Sequence, residues 1–246
     1  MQVFVIGCGG GASYLAPVLY RHLGSQSSPE NPQELYLIDR DKVESRNRRR
    51  QNFLEHQDGE SKAEALRASL LASITFPEVS IHCRREYIRE DSRLPVRGEA
   101  ILFAMVDNHP ARKSALALAD RYGVPCICAA NEQHSAEAYY YHPNYYGTPC
   151  DPRVVYPEIL TDTRDDPTRP SCNEVSPGET AEQQGVIANL LSASAALHLF
   201  QAHQLGTALS QEYRCYLPFM VRMYSYGMEC LSFKSQLGDK YAVAEC

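Results

Sequence analysis

Gln2-Val3-Phe4-Val5-Ile6-Gly7-Cys8-Gly9-Gly10-Gly11-Ala12-Ser13, then Leu35-Tyr36-Leu37-Ile38-Asp39-Arg40-Asp41-Lys42-Val43, then Asn47-Arg48-Arg49-Arg50-Gln51, decide the reading of this chain. An apolar strand that opens on a glycine-rich turn lets backbone N–H groups approach a phosphate, and the following helix N-terminus adds positive potential. A second strand that ends in a carboxylate suits a ribose, whose hydroxyls donate hydrogen bonds to Asp39. Any dinucleotide-binding domain fits that far. The continuation narrows it: a second acid at Asp41, then Asn47, Arg50 and Gln51. A redox enzyme has no evident need for an arginine cluster after its ribose carboxylate, whereas an enzyme that handles a triphosphate does.

The ordered set resembles the ThiF/MoeB superfamily, the ubiquitin-activating (E1-like) adenylyltransferases. That signature is a glycine loop, Asp-x-Asp-x-Val, Asn-x-x-Arg-Gln, a lysine about a dozen residues on, and a later Asp-Asn with a downstream arginine. This chain supplies Gly7, Gly9, Gly10, Gly11 and Ala12, then Asp39, Asp41, Val43, Asn47, Arg50, Gln51 and Lys62, then Asp107, Asn108 and Arg112. The likeness runs from the first strand to about residue 140 and returns near Cys172. It departs at Ala12, where the last glycine is usual, and at Arg46, where a serine is usual. The chain also opens directly on the strand, without the preceding segment from which family members offer an arginine to a partner subunit.

Composition bounds the answer. The 246 residues are 44% apolar, enough for one large domain or one with a small appendage. A net charge of −6 disfavours a general nucleic-acid binder despite Arg46, Arg48, Arg49 and Arg50. No stretch approaches the roughly 18–20 apolar residues of a membrane span, and the start lacks the features of a signal peptide. Nine scattered cysteines without an export signal read as reduced thiols, so the expected location is the cytoplasm.

Alternating apolar runs and helical patterns predict a doubly wound, Rossmann-like α/β fold with a mostly parallel sheet, a long crossover loop and a short C-terminal β extension. Residues 1–141 read as the nucleotide-binding core, 142–176 as the crossover loop, and 177–246 as a long helix and terminal strands of one adenylation domain. Predicted helices cover Ser13 to Leu23, with Pro17 near the first turn or kinking it, Asn47 to Glu55, Ser61 to Ser73 and Pro110 to Tyr122. Predicted strands cover Gln2 to Gly7, Leu35 to Ile38, Val79 to Cys83, Ala100 to Val106 and Val124 to Ala130. The tyrosines from Tyr139 to Tyr146 read equally well as a groove for a protein tail or as an edge strand. Ser176-Pro177-Gly178-Glu179 reads as a capping box. The helix after it, to about His203, is expected to place Val186, Leu190, Ala193, Leu197 and Phe200 on one face, with small residues close to the sheet. Residues 213 to 233 read as two short strands turned at Pro218 or Gly227.

Asp107 falls at the carboxyl edge of the sheet, where ligands bind in open α/β folds, and an acid there can hold Mg²⁺ against ATP phosphates. A helix cap by Asp107 or Asn108 is the plainer alternative. Arg50 and Lys62 are the candidate phosphate contacts, since an acyl carboxylate meeting an α-phosphate needs fixed cations. Cys172 lies in Arg169-Pro170-Ser171-Cys172-Asn173-Glu174-Val175-Ser176-Pro177-Gly178, which resembles the thioester loop of autophagy-type E1 enzymes. Arg169 and a helix N-terminus nearby would lower its thiol pKa; an inert buried cysteine is the alternative. Cys150 is the second candidate nucleophile. Cys126 and Cys128 are read as facing opposite sides of a strand, unable to share a metal. With no Cys-x-x-Cys pair and no ligand spacing among the histidines, no zinc is expected.

The resemblance implies an enzyme that uses ATP and Mg²⁺ to adenylate the C-terminal carboxylate of a ubiquitin-like β-grasp protein. The acyl group would then pass to Cys172 and on to an E2-like or sulfur-transfer acceptor. It also implies a homodimer. The rival readings are adenylation of a small carboxylate, peptide or tRNA nucleoside, a non-catalytic nucleotide-binding subunit, and an NAD(P) oxidoreductase.

Overall fold

The computed structural model describes residues 1–132, 135–162, 185–208, 218–224 and 227–232. One eight-stranded sheet runs in the order β3-β2-β1-β4-β5-β6-β7-β8. The strands are β1 (Gln2–Ile6), β2 (Gln33–Ile38), β3 (Val79–Arg84), β4 (Ala100–Ala104), β5 (Cys126–Asn131), β6 (Ser135–Tyr141), β7 (Pro218–Tyr224) and β8 (Gly227–Ser232). The first five pair in parallel; β5 to β8 pair antiparallel. β1 and β4 are buried at every position, as expected of parallel strands covered on both faces. Among the described residues no helix is long and apolar enough to cross a membrane.

Alternate residues feed two cores. Val3, Val5, Leu37, Phe103, Ile127 and Tyr140 face helices α1 (Gly10–Gln26), α2 (Lys62–Ser73) and α6 (Val186–Ala208). Phe4, Ile6, Ile38, Leu102, Cys126 and Tyr141 face α3 (His109–Tyr122) and the short helices α4 (Pro152–Val155) and α5 (Glu158–Thr161). The doubly wound expectation holds, with the antiparallel extension built onto the β5 edge.

Several local expectations change. Asn47 to Glu55 is not one helix: only Asn47–Arg49 and Glu55–Gln57 form 3₁₀ turns, because the Asn47 side chain accepts from the Glu44 N–H and organises a turn. The first helix starts at Gly10, so Pro17 lies in its interior rather than near its first turn. β6 lies between β5 and β7, so its tyrosines are interior and not on an edge. Cys126 and Cys128 face the same side, as residues two apart on a strand must, with sulfurs 3.8 Å apart. On α6 the buried face is Ala188, Asn189, Ser192, Ala193, Ala196, Leu199 and Phe200, while Val186 and Leu190 are exposed. The predicted face was therefore rotated at the start of the helix. The capping box and Cys172 lie outside the described residues.

Candidate active site

The site forms where β1, β2 and β4 end. Gly7 adopts φ +85°, and a Cβ there would lie 2.6 Å from the Met105 carbonyl oxygen, so only glycine turns the chain here. The Gly7 N–H still bonds to the Ile38 carbonyl at 2.9 Å, and α1 begins three residues later. The first N–H groups of α1 have no intrahelical acceptors, which leaves an anion-accepting end. Gly9 caps this helix without a side-chain bond.

Asp39 is fixed from both sides. One carboxylate oxygen accepts from the Cys8 N–H and the other from the Asp41 N–H, each at 2.7 Å. Each oxygen keeps a further lone-pair direction, so the pinned carboxylate can still accept from a diol. Burial raises the Asp39 pKa most; Lys62 and the two N–H bonds pull it down, Asp41 pushes it up, and the net direction is upward.

Lys62 is buried at the start of α2, and its Nζ donates to Asp41 Oδ2 at 2.9 Å. Burial works against its charge. The carboxylates of Asp39 and Asp41, with Asp107 beyond, more than offset that and hold its pKa above the ordinary lysine value. The Tyr87 hydroxyl donates to the other Asp41 oxygen at 3.2 Å, and the Arg40 guanidinium lies over the Tyr87 ring at 5.2 Å. Nothing in the sequence pattern singled out Tyr87; only the β3 pairing, which brings residues after Arg84 beside the end of β2, places it here.

The Arg50 segment is held by its own turn. The carbonyl of buried Asn47 accepts from the Arg50 and Gln51 N–H groups at 3.0 and 2.8 Å. Asn47 thus shapes the loop that carries Arg50 and Gln51. The Asn52 N–H donates to the Ser13 hydroxyl on α1, at 3.0 Å. Gln51 is 6% exposed, its amide oxygen has no hydrogen-bond partner among the described residues, and its amide nitrogen would lie 3.8 Å from a Cβ on Gly9. An orphaned buried acceptor beside a bare glycine loop fits a site built to take a polar ligand. The neighbouring arginines pair locally: Arg46 with Glu44, and Arg48 with Asp58 at 3.2 Å.

Of Asp107 and Asn108, it is Asn108 that takes the helix cap on α3, its side-chain oxygen accepting from the Ala111 N–H at 2.8 Å. Asp107 stays exposed beyond β4, with a long 3.4 Å contact from the Asn108 amide. Arg112 turns back to the Val106 carbonyl at 3.1 Å. Cys150 is 1% exposed, within the same core cluster as the inner face of α3, and burial pushes its thiol up to about 11. Among the described residues no group of histidine, cysteine and acidic side chains could hold a metal ion by itself.

The model described as the ThiF family matches residues 1–229. No curated protein matches the chain. E. coli MccB with AMPCPP and MccA superposes with a TM-score of 0.60 at 20% identity, over 94% of this chain and 63% of that one. E. coli MccB with ATP gives 0.58 and 19% over the same shares, and PaaA gives 0.57 and 15% over 94% and 64%. These identities speak for the fold, and the chain spans a little under two thirds of the length of those proteins. The family match over nearly the whole chain, on a fold whose strand ends gather the glycine loop, Asp39, Asp41 and Lys62, leads to one conclusion: the chain belongs to the ThiF family.

Proposed function

We propose that this protein is an ATP-dependent adenylyltransferase that activates the C-terminal carboxylate of a ubiquitin-like, β-grasp protein. The observation that carries this reading is Asp39, locked by two backbone N–H groups beside the glycine loop, with Lys62 held between Asp39 and Asp41. That set can seat a ribose and supply a cation to the phosphates. The solved MccB structures with ATP and with AMPCPP support a nucleotide here, and those with MccA support a second molecule as the acceptor.

In this reading the nucleotide lies over Gly7 to Ala12, with Asp39 on the ribose and Arg50 and Lys62 at the phosphates. Asp107 offers an exposed carboxylate whose free oxygen suits Mg²⁺, which screens phosphate charge when bound. A carboxylate oxygen of the acceptor attacks the α-phosphorus, the bond to the β-phosphate oxygen breaks, and pyrophosphate leaves. Arg50 and Lys62 offset the charge that accumulates as two anions meet. The Cys172 thiolate then attacks the acyl carbonyl, AMP departs, and the thioester passes to an E2-like or sulfur-transfer acceptor.

A homodimer belongs to the same reading: Ile187 and Leu190 stand exposed on the outer side of α6, at 60% and 46%. Sedimentation at micromolar concentration tests this, and a fully active monomer removes it. The central test is ATP–pyrophosphate exchange with candidate acyl substrates, including small proteins with a Gly-Gly end. Exchange that depends on such a protein supports the reading; AMP formation with none of the acceptors, despite ATP binding, defeats it.

A further inference from the structure

We infer that Asn189 is a positioning residue for this site, acting through Arg50; in its kinetic part this rests on the adenylation reading. Asn189 is fully buried in the first turns of α6, a helix whose other inward residues are small or apolar. Its Nδ2 donates to the Arg50 carbonyl at 2.8 Å, and its Oδ1 accepts from Asn131 Nδ2 at 3.2 Å. One amide therefore ties the end of β5 to the backbone of the candidate phosphate arginine.

The same side chain presses on the glycine loop. A Cβ added to Gly10 would collide with the Asn189 amide, and one on Gly11 would lie 3.2 Å from the Ser192 hydroxyl one turn on. The two glycines are thus bare on the α6 side because α6 crosses there, while Asn189 occupies the space and spends both its hydrogen-bonding ends on the site. A residue needed only to fill that space would need no amide. A residue needed to fix the Arg50 backbone needs a donor at this point, and among the described residues the segment's backbone N–H groups are tied to Asn47 and Ser13.

Two measurements on the full chain test this. In the first, hydrogen exchange at the Arg50, Gln51 and Asn52 amides is compared between wild type and Asn189→Ala, with a thermal melt alongside. Exchange at these amides should quicken about tenfold, the equivalent of ~1.4 kcal/mol, and more than at the β1 and β4 amides. Unchanged exchange there, or an even rise across the protein, overturns the role whether or not the chain adenylates anything.

In the second, pyrophosphate exchange is measured for Asn189→Ala, Arg50→Ala and the double variant. Asn189→Ala should lower kcat about tenfold with little change in KM for ATP, and the double variant should be no slower than Arg50→Ala alone. Effects that multiply overturn action through Arg50. Asn189→Asp adds a pH readout, because the neutral acid can donate to the Arg50 carbonyl and the carboxylate cannot. Its activity relative to wild type should rise as pH falls, and a flat ratio counts against the proposal. A wild-type protein that binds ATP yet exchanges no pyrophosphate defeats adenylation and leaves the hydrogen-exchange result to decide the positioning role.

Discussion

Lys62 is bound to Asp41 twice: its backbone N–H donates to the Asp41 carbonyl and its Nζ to Asp41 Oδ2, both at 2.9 Å. The start of α2 and the end of β2 are thereby one unit, and the cation is already in place before any phosphate arrives. Its pKa lies above the ordinary 10.5. The stabilisation it contributes is therefore complete below 10.5 and is lost only as pH climbs through the raised value.

Lys62→Met removes that cation and leaves the repulsion between Asp39 and Asp41 unopposed by it. Asp41 is only half-buried, so water screens part of the loss and the cost should be about 1–2 kcal/mol at neutral pH. The deficit should narrow as pH falls and Asp39, whose pKa burial raises, takes up a proton. Urea unfolding at neutral and at mildly acidic pH checks this; equal stability of variant and wild type throughout would show that the pair contributes nothing. Adenylation should fall far more than stability.

Arg50→Ala should cut adenylation severely while ATP affinity changes less, since its charge is proposed to act on the transition state. Comparing kcat with directly measured ATP binding separates the cases. If affinity falls as far as turnover, Arg50 anchors the ground state instead.

Asp107→Ala should abolish adenylation and leave the melt within about 0.5 kcal/mol of wild type, as exposed substitutions do. The structure sharpens this expectation, because Asn108 caps α3 and Asp107 has no helix to hold. A folded variant with normal pyrophosphate exchange would remove Asp107 from the mechanism.

Cys172→Ala should still exchange pyrophosphate but lose any reductant-sensitive covalent complex with the acyl partner. Cys150→Ala should keep both, since the Cys150 thiol is buried and its pKa raised. A thioester that survives in Cys172→Ala and vanishes in Cys150→Ala reverses the assignment. Survival in both means the chain makes only the adenylate.

The parallel half was legible because its signals are local: continuous apolar runs at β1 and β4, glycines before α1, and Asn108 with Pro110 before α3. The carboxylates at the end of β2 were legible for the same reason. Much of what failed depended on partners distant in sequence. Asn47 to Glu55 has helical composition, yet the segment must feed Phe53 into the core and Gln51 toward Gly9, which a continuous helix would prevent. The tyrosines of β6 are interior only because β7 arrives from the far end of the chain. The Cys126 and Cys128 facing was a misapplied strand period. Asn189 could have been noticed as a lone amide among small and apolar residues, but its partners Asn131 and Arg50 carry no mark of it.

That long-range closure has a kinetic consequence. Strands β1 to β5 draw their neighbours from the first 141 residues, β5 pairing with β6 itself, whereas the other flank of β6 waits for Val221 to reach Ala138 across everything in between. Closing so large a loop is entropically slow, and chains emerge from the ribosome N-terminus first. Until β7 arrives, the open flank of β6 is an unpaired sheet edge rich in tyrosine, the kind of surface on which nascent chains associate. Pulse-labelled refolding should show β7 amides gaining protection after those of β1 and β4. The stage at which this protein most needs a chaperone is therefore the interval between finishing its nucleotide fold and receiving its last strands.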